Sequence, residues 1–122
     1  MENKIIIYNT DDGKNSVKLF AQDGTVWLNQ QLMAELFDTS VQNISLHVIN
    51  ILDDNELDAN SVVKDSLITA TDGKNYNVSF YSLDMILAVG FRVRNKRGVQ
   101  FRRWANTVLK EFMQVPHGTA LY

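Results

Sequence analysis

Cysteine is absent from the 122-residue chain, which excludes disulfides and thiolate metal sites and makes an intracellular setting the simplest reading. Long apolar runs are missing too: none approaches the roughly 18–20 residues that span a bilayer, so no membrane partner is expected. The opening MENKIIIYN has too brief an apolar run for a signal peptide and no small-residue cleavage site, which points to the cytoplasm. Histidine occurs twice, and His47 and His117 lie far apart in sequence, outside any metal-spacing motif. There is no P-loop and no GxSxG. The acidic run DDNELD resembles a calcium loop only superficially. Counted from Asp54, its sixth position is Ala59 where glycine is needed, and its twelfth is Asp65 where a bidentate glutamate is expected. No enzyme activity, catalytic residue, metal, cofactor or small-molecule substrate is expected.

The small net charge of −2 hides an uneven distribution. Residues 1–61 hold three Lys/Arg against ten Asp/Glu and residues 62–122 hold nine against four, so the halves carry −7 and +5. Such a chain has an acidic side and a basic side, and can present its cations on one surface without being an indiscriminate polyanion binder. No long linker, internal repeat or low-complexity tract interrupts residues 4–114. The single proline, Pro116, follows the last helical pattern. The expected organisation is one domain over 1–115 and a short tail over 116–122.

Periodicity gives the elements. KIIIYN and NSVKLFA flank DDGKN, whose Asp12-Gly13 suits a tight turn, predicting a hairpin of residues 4–9 and 15–21. TVWL after Asp23-Gly24 is a third strand. Asn29 is an expected N-cap, with Leu32, Met33, Leu36 and Phe37 on one helical face. A second helix starts after Thr39 or Ser40 and buries Val41, Ile44, Val48, Ile51 and Leu52. Strands at 62–69 and 76–81 surround TDGKNY, and Ser82 can cap a further helix, SLDMILAVGF. Gly90 and Gly98 bracket a polar, basic stretch before a last helix with Phe101, Trp104, Ala105, Val108, Leu109, Phe112 and Met113 at helical spacing. Trp27 and Trp104 are expected in the core. The order βββ-αα-ββ-αα defines an α+β domain.

Residues 35–48, ELFDTSVQNISLHV, have the pattern of a helix-turn-helix. Ala34 is the small residue where two helices meet, Asp38 stands where the turn commonly has glycine, and Ile44 locks the second helix. The hairpin that follows occupies the place of a wing, giving a winged helix-turn-helix-like domain with an N-terminal β-meander. The second helix would present Gln42, Asn43, Leu46 and Asn50, flanked by Ser40 and His47, to base edges in double-stranded DNA. The same pattern suits two helices packed in an ordinary core, and this helix has no Arg or Lys while Asp53, Asp54, Glu56 and Asp58 crowd its end. Candidate phosphate contacts are Lys74, Arg92, Arg94, Lys96, Arg97, Arg102, Arg103 and Lys110. A homodimer is expected, because one such unit offers few base contacts.

The segments WLNQQLMAELFDTSVQNISLHVINIL and NSVVKDSLITATDGKNYNVSFYSLDMILAVGFRVRNKRGVQFRRWANTVLKEFM resemble the RhuM virulence-protein family over roughly residues 16–114. The DGKNY, FRVRNKRG-x-QFR-x-WA and VLKEF elements carry the likeness. More distantly the chain is similar to the Bro-N domain of phage and viral antirepressors, in which an FR-x-W-type helix also closes the domain. The resemblance implies a bacterial or phage-derived protein, similar to an N-terminal DNA-binding domain, with a regulatory or antirepressor-like role. The alternative from a different class is a protein-interaction or oligomerisation module that buries Leu46 and Ile49 against another chain.

Overall fold

The computed structural model describes residues 4–109 and 111. Strands β1 (Ile5–Asn9), β2 (Ser16–Gln22) and β3 (Thr25–Leu28) are followed by helices α1 (Gln30–Phe37), α2 (Val41–Asp53) and a single turn, α3 (Ala59–Val62). Strands β4 (Val63–Thr69) and β5 (Asn75–Ser82) lead to α4 (Leu83–Val93) and α5 (Lys96–Trp104), which continues as a π-helical turn over Ala105–Leu109. The fold is a mixed α+β arrangement with an N-terminal sheet and C-terminal helices. All five strands join one antiparallel sheet in the order β1-β2-β3-β5-β4. The β4–β5 hairpin is therefore continuous with the N-terminal meander through β5 and does not stand apart.

Strand alternation decides which side chains meet the helices. Tyr8, Val17, Leu19, Val26, Leu28 and Tyr81 join Met33, Leu36, Phe37, Ile44, Val48, Ile51, Met85, Ile86, Val89 and Phe101 in one buried cluster. Each fully buried Leu, Ile or Phe contributes roughly 1.5–3 kcal/mol. The opposite sheet face carries a separate aromatic group. Phe20 and Phe80 meet edge to face at 5.7 Å, and Lys64 lies 4.8 Å over the Trp27 ring while pairing with Asp23. Beyond this, the distal half of the β4–β5 hairpin is exposed on both faces, with Leu67 68%, Ile68 39% and Tyr76 46% accessible.

The expected cap at Asn29 forms, and Ser40, expected only as a boundary of the second helix, caps it too. Asn29 accepts from the Leu32 N–H at 2.8 Å and Ser40 from the Asn43 N–H at 3.0 Å, each satisfying a donor that the first helical turn leaves open. Ser82 occupies the N-cap of α4 but makes no side-chain cap bond. Val41, expected in the buried stripe, is 37% exposed.

The largest departure concerns the glycines. The sequence treats Gly90 and Gly98 as brackets around a polar stretch, whereas Gly90 lies within α4 and Gly98 within α5. Their role is close approach. A Cβ on Gly98 would sit 2.7 Å from the Gly90 carbonyl oxygen, and one on Gly90 would press on the Phe37 ring at 3.1 Å. The connection shrinks to Arg94, in the left-handed region at φ 56°, and Asn95. The last helix accordingly starts at Lys96, five residues before its apolar stripe becomes visible at Phe101. The Pro116 tail and Lys110, Phe112 and Met113 lie outside the described residues.

Gly98→Ala should destabilise the fold by about 1–3 kcal/mol, because backbone rather than a movable side chain opposes the new methyl. Urea denaturation checks this. A midpoint equal to or above that of the parent would rule out the close crossing.

Candidate nucleic-acid interface

The joint between α1 and α2 is built from three consecutive residues. Asp38 adopts the left-handed conformation (φ 52°, ψ 55°), which Asp tolerates better than most non-glycine residues. The Thr39 N–H then donates to the Ala34 carbonyl at 3.0 Å, and Ser40 caps α2. Ala34 is 6% exposed and Ile44 fully buried, so the two positions that this joint needs small and apolar are filled as the sequence requires.

Along α2 the central exposed line is Gln42, Leu46, Ile49 and Asp53, at steps of four, three and four, with Asn50 exposed beside it. Leu46 and Ile49 are 54% and 51% accessible. Other sequence candidates are partly occupied. The Ser40 hydroxyl is the cap acceptor, and Asn43 is half-buried with its amide donating to Thr39 Oγ1 at 2.9 Å. His47 is half-buried on the α4 side, and burial, then the Arg92 charge, hold its pKa below the usual imidazole value.

The cations fall into two groups. Arg92 forms a two-pronged pair with Glu56 and also donates to the Ala88 carbonyl at 3.2 Å; its hydrogen bonds hold the Glu56 carboxyl below the usual carboxylate range. Arg97 donates to the Glu35 and Leu36 carbonyls at 3.2 and 3.4 Å. It thereby satisfies acceptors that the end of α1 leaves open, and its guanidinium is 3.9 Å from Asp12. Arg102 donates to the Gly90 carbonyl and lies 4.3 Å over the exposed Phe91 ring. These three are tied to protein partners. Arg94, Lys96 and Arg103 are exposed and, among the described residues, make no side-chain hydrogen bond or ion pair. They line an open groove with Asp11, Asn95, Val99 and Gln100.

Asn95 connects the two regions. Its Oδ1 accepts from the Gly98 N–H at 3.0 Å, capping α5, while its Nδ2 donates to the Phe37 carbonyl at 2.7 Å. The turn that carries Arg94 and Lys96 is therefore bonded directly to the end of α1, one residue before the joint into α2. Sequence reasoning did not single out this residue, although Asn three positions before Gly98 is the local signature of a cap.

A second signal was also missed. The tetrapeptide Asp-Gly-Lys-Asn occurs at 12–15 and again at 72–75. In both copies the lysine N–H donates to the aspartate side chain at 2.9 Å and the glycine has positive φ, 72° and 82°. Because every pairing is antiparallel, the β1–β2 and β4–β5 turns lie at the same end of the sheet. Exposed Lys14 and Lys74 cap that end. Asn15 of the first turn also lines the groove containing Asp38, Thr39, Ser40 and Gln42, so the start of α2 belongs to this end as well.

Among the described residues there is no group of three or more His, Cys, Asp or Glu placed to hold a metal, and no helix is long and apolar enough to cross a membrane. The sequence contains no cysteine, and the fold defines a mixed α+β domain. Residues 61–118 match the Virulence protein RhuM family, which supports the family assignment that the sequence resemblance indicated. The matched segment begins inside α3 and takes in β4, β5, α4 and α5, leaving the α1–α2 unit outside it. No curated protein and no solved structure matches the chain.

Asn95→Ala removes both an N-cap and the bond to the Phe37 carbonyl. The expected cost is about 1–3 kcal/mol, measured by urea denaturation, and Asn95→Asp should recover only the cap. Equal stability of the alanine and aspartate variants would show that the cap contributes nothing.

Proposed function

We propose that this chain is a non-enzymatic DNA-binding module of regulatory or antirepressor-like kind. It reads double-stranded DNA with α2 and holds phosphates with the α4–α5 turn. The observation that carries this reading is the Asn95 bridge. It ties the turn bearing Arg94 and Lys96, unpaired among the described residues, to the end of α1 just before the joint into the polar start of α2, which supports reading base contact and phosphate contact as work of one unit. Arg103 extends the cationic groove, and Lys14 and Lys74 add charge at the same end of the sheet. In this reading β4–β5 is a wing attached to a helix-turn-helix, residues 1–115 act as one domain, and a cytoplasmic location fits the role. Arg92, Arg97 and Arg102 serve structure first, which narrows the phosphate set to Lys74, Arg94, Lys96 and Arg103 among the described candidates.

The test is the salt dependence of binding. Alanine substitutions at Arg94, Lys96 and Arg103 should weaken binding to all duplexes alike. Each should lower the slope of log affinity against log salt by about 0.9 for every phosphate it ceases to neutralise. An unchanged slope would remove these residues from the interface.

A single reading helix contacts few base pairs, so we further propose a homodimer that spans half-sites roughly 34–36 Å apart. Light scattering with and without DNA checks it, and a monomer in both conditions at high concentration would refute it. The specific observation favouring a pure protein-interaction module is the exposure of Leu46 and Ile49 in mid-helix; in that case no duplex would show salt-dependent binding.

A further inference from the structure

The exposed line of α2 has an unusual composition for a helix meant to enter a DNA groove. Gln42 comes first, two aliphatic side chains follow, and a carboxylate ends it at Asp53. No Arg or Lys occurs anywhere in α2, so the residues that make the commonest bidentate contact to guanine are missing. An amide can pair bidentately with adenine, and an aliphatic side chain can pack on the thymine C5-methyl group. Leu46 and Ile49 are three residues apart on one face, about 4.5 Å along the helix axis. That distance is close to the roughly 3.4 Å rise between base pairs on one strand. Two neighbouring methyl groups in the major groove therefore fall within reach of two neighbouring side chains.

From this we infer that α2 is a methyl-reading helix, selective for A·T pairs with adjacent thymines, with Leu46 and Ile49 as the specificity-determining residues and Gln42 as the adenine contact. The inference rests on the proposed DNA-binding role and specifies its ligand. Charge distribution fixes the occupant of this apolar line. The turn carrying Arg94 and Lys96 is bonded to Phe37 at the end of α1, just before the joint that opens α2, where it can meet phosphates, whereas Asp53 and Asp54 at the far end repel them. The helix enters the groove from its start through Ile49, and Asp53, one turn further along the same line, marks the end that stays out. Arg92 already neutralises Glu56 nearby, and the exposed carboxylates of Glu35 and Asp38 beside the start of α2 are matched in number by Arg94 and Lys96, so the net repulsion lies at the Asp53 end.

The experiment uses the full 122-residue chain and four short duplexes. One is of A·T pairs with adjacent thymines, the second has uracil in place of every thymine, the third is of G·C pairs, and the fourth has 5-methylcytosine in place of every cytosine. Removing two methyl groups from the interface should weaken binding by about tenfold from thymine to uracil, and methylated cytosine should bind more tightly than cytosine. Leu46→Ala and Ile49→Ala should each shrink the thymine–uracil affinity ratio, weakening binding to the thymine duplex more than to the uracil duplex. Both side chains are exposed, so both variants should keep the parent's circular dichroism and denaturation midpoint. Equal affinity for thymine and uracil duplexes, with salt-dependent binding to both, would overturn methyl reading and leave DNA binding standing. Absence of binding to all four would overturn both. Conversion of a dimer to a monomer by Leu46→Ala would show that a second copy of the chain occupies this face, and would overturn the inference as well.

Discussion

One side-chain amide, that of Asn95, holds the α4–α5 turn in register with the end of α1. Its oxygen ends an otherwise open helix start and its nitrogen satisfies an otherwise open helix end. A helix terminus leaves backbone groups that must find partners or remain in water, and here the needs of two termini coincide. The approach this requires is possible only because Gly90 and Gly98 let α4 and α5 cross closely. Arg97, bonded to the two carbonyls before Phe37, reinforces the same joint from the next turn of α5. Close packing of two glycines, one bridging amide and one arginine thus fix where the exposed cations stand relative to α2.

The basic segment shows how little a charge count says about partners. RVRNKR reads as four equivalent positive charges, yet Arg92 is bound to a carboxylate and Arg97 to backbone carbonyls, while Arg94 and Lys96 face solvent. An arginine that replaces missing helix-end hydrogen bonds is structural whatever its formal charge. The cations left over are fewer but better placed, because the engaged ones hold their turn rigid.

What could be read from the sequence follows from the range of the interactions responsible. Hairpin turns at Asp12-Gly13 and Asp72-Gly73, the cap at Asn29 and the start of α2 after Ser40 are set by residues within three or four positions, and they form as expected. The start of α5 was misjudged because a glycine reads locally as a helix breaker, whereas Gly98 serves a contact with a helix that lies earlier in the chain. The division of arginines into tied and free was illegible for the same reason: Arg92, Arg97 and Arg102 find partners 36, 62 and 12 residues away, beyond the reach of local pattern. The exposed face of α2 was legible from helical period, save for Val41, expected inside but exposed, and for Asn43 and His47, which are half-buried. Family likeness extends through the C-terminal half, where these long-range contacts converge.

The distal β4–β5 arm has a consequence for how this domain can vary. Residues 67–69 and 75–77 are exposed on both sheet faces, so their side chains contribute almost nothing to the core, and strand pairing with local hydrogen bonds from Thr69 and Tyr76 holds them in place. Lengthening, shortening or rewriting the arm leaves the buried cluster untouched. Its proximal half does not share that freedom, since Phe80 and Tyr81 are buried. The molecule thus separates a part that must be kept to remain folded from a part that can drift, and the boundary falls inside a single hairpin.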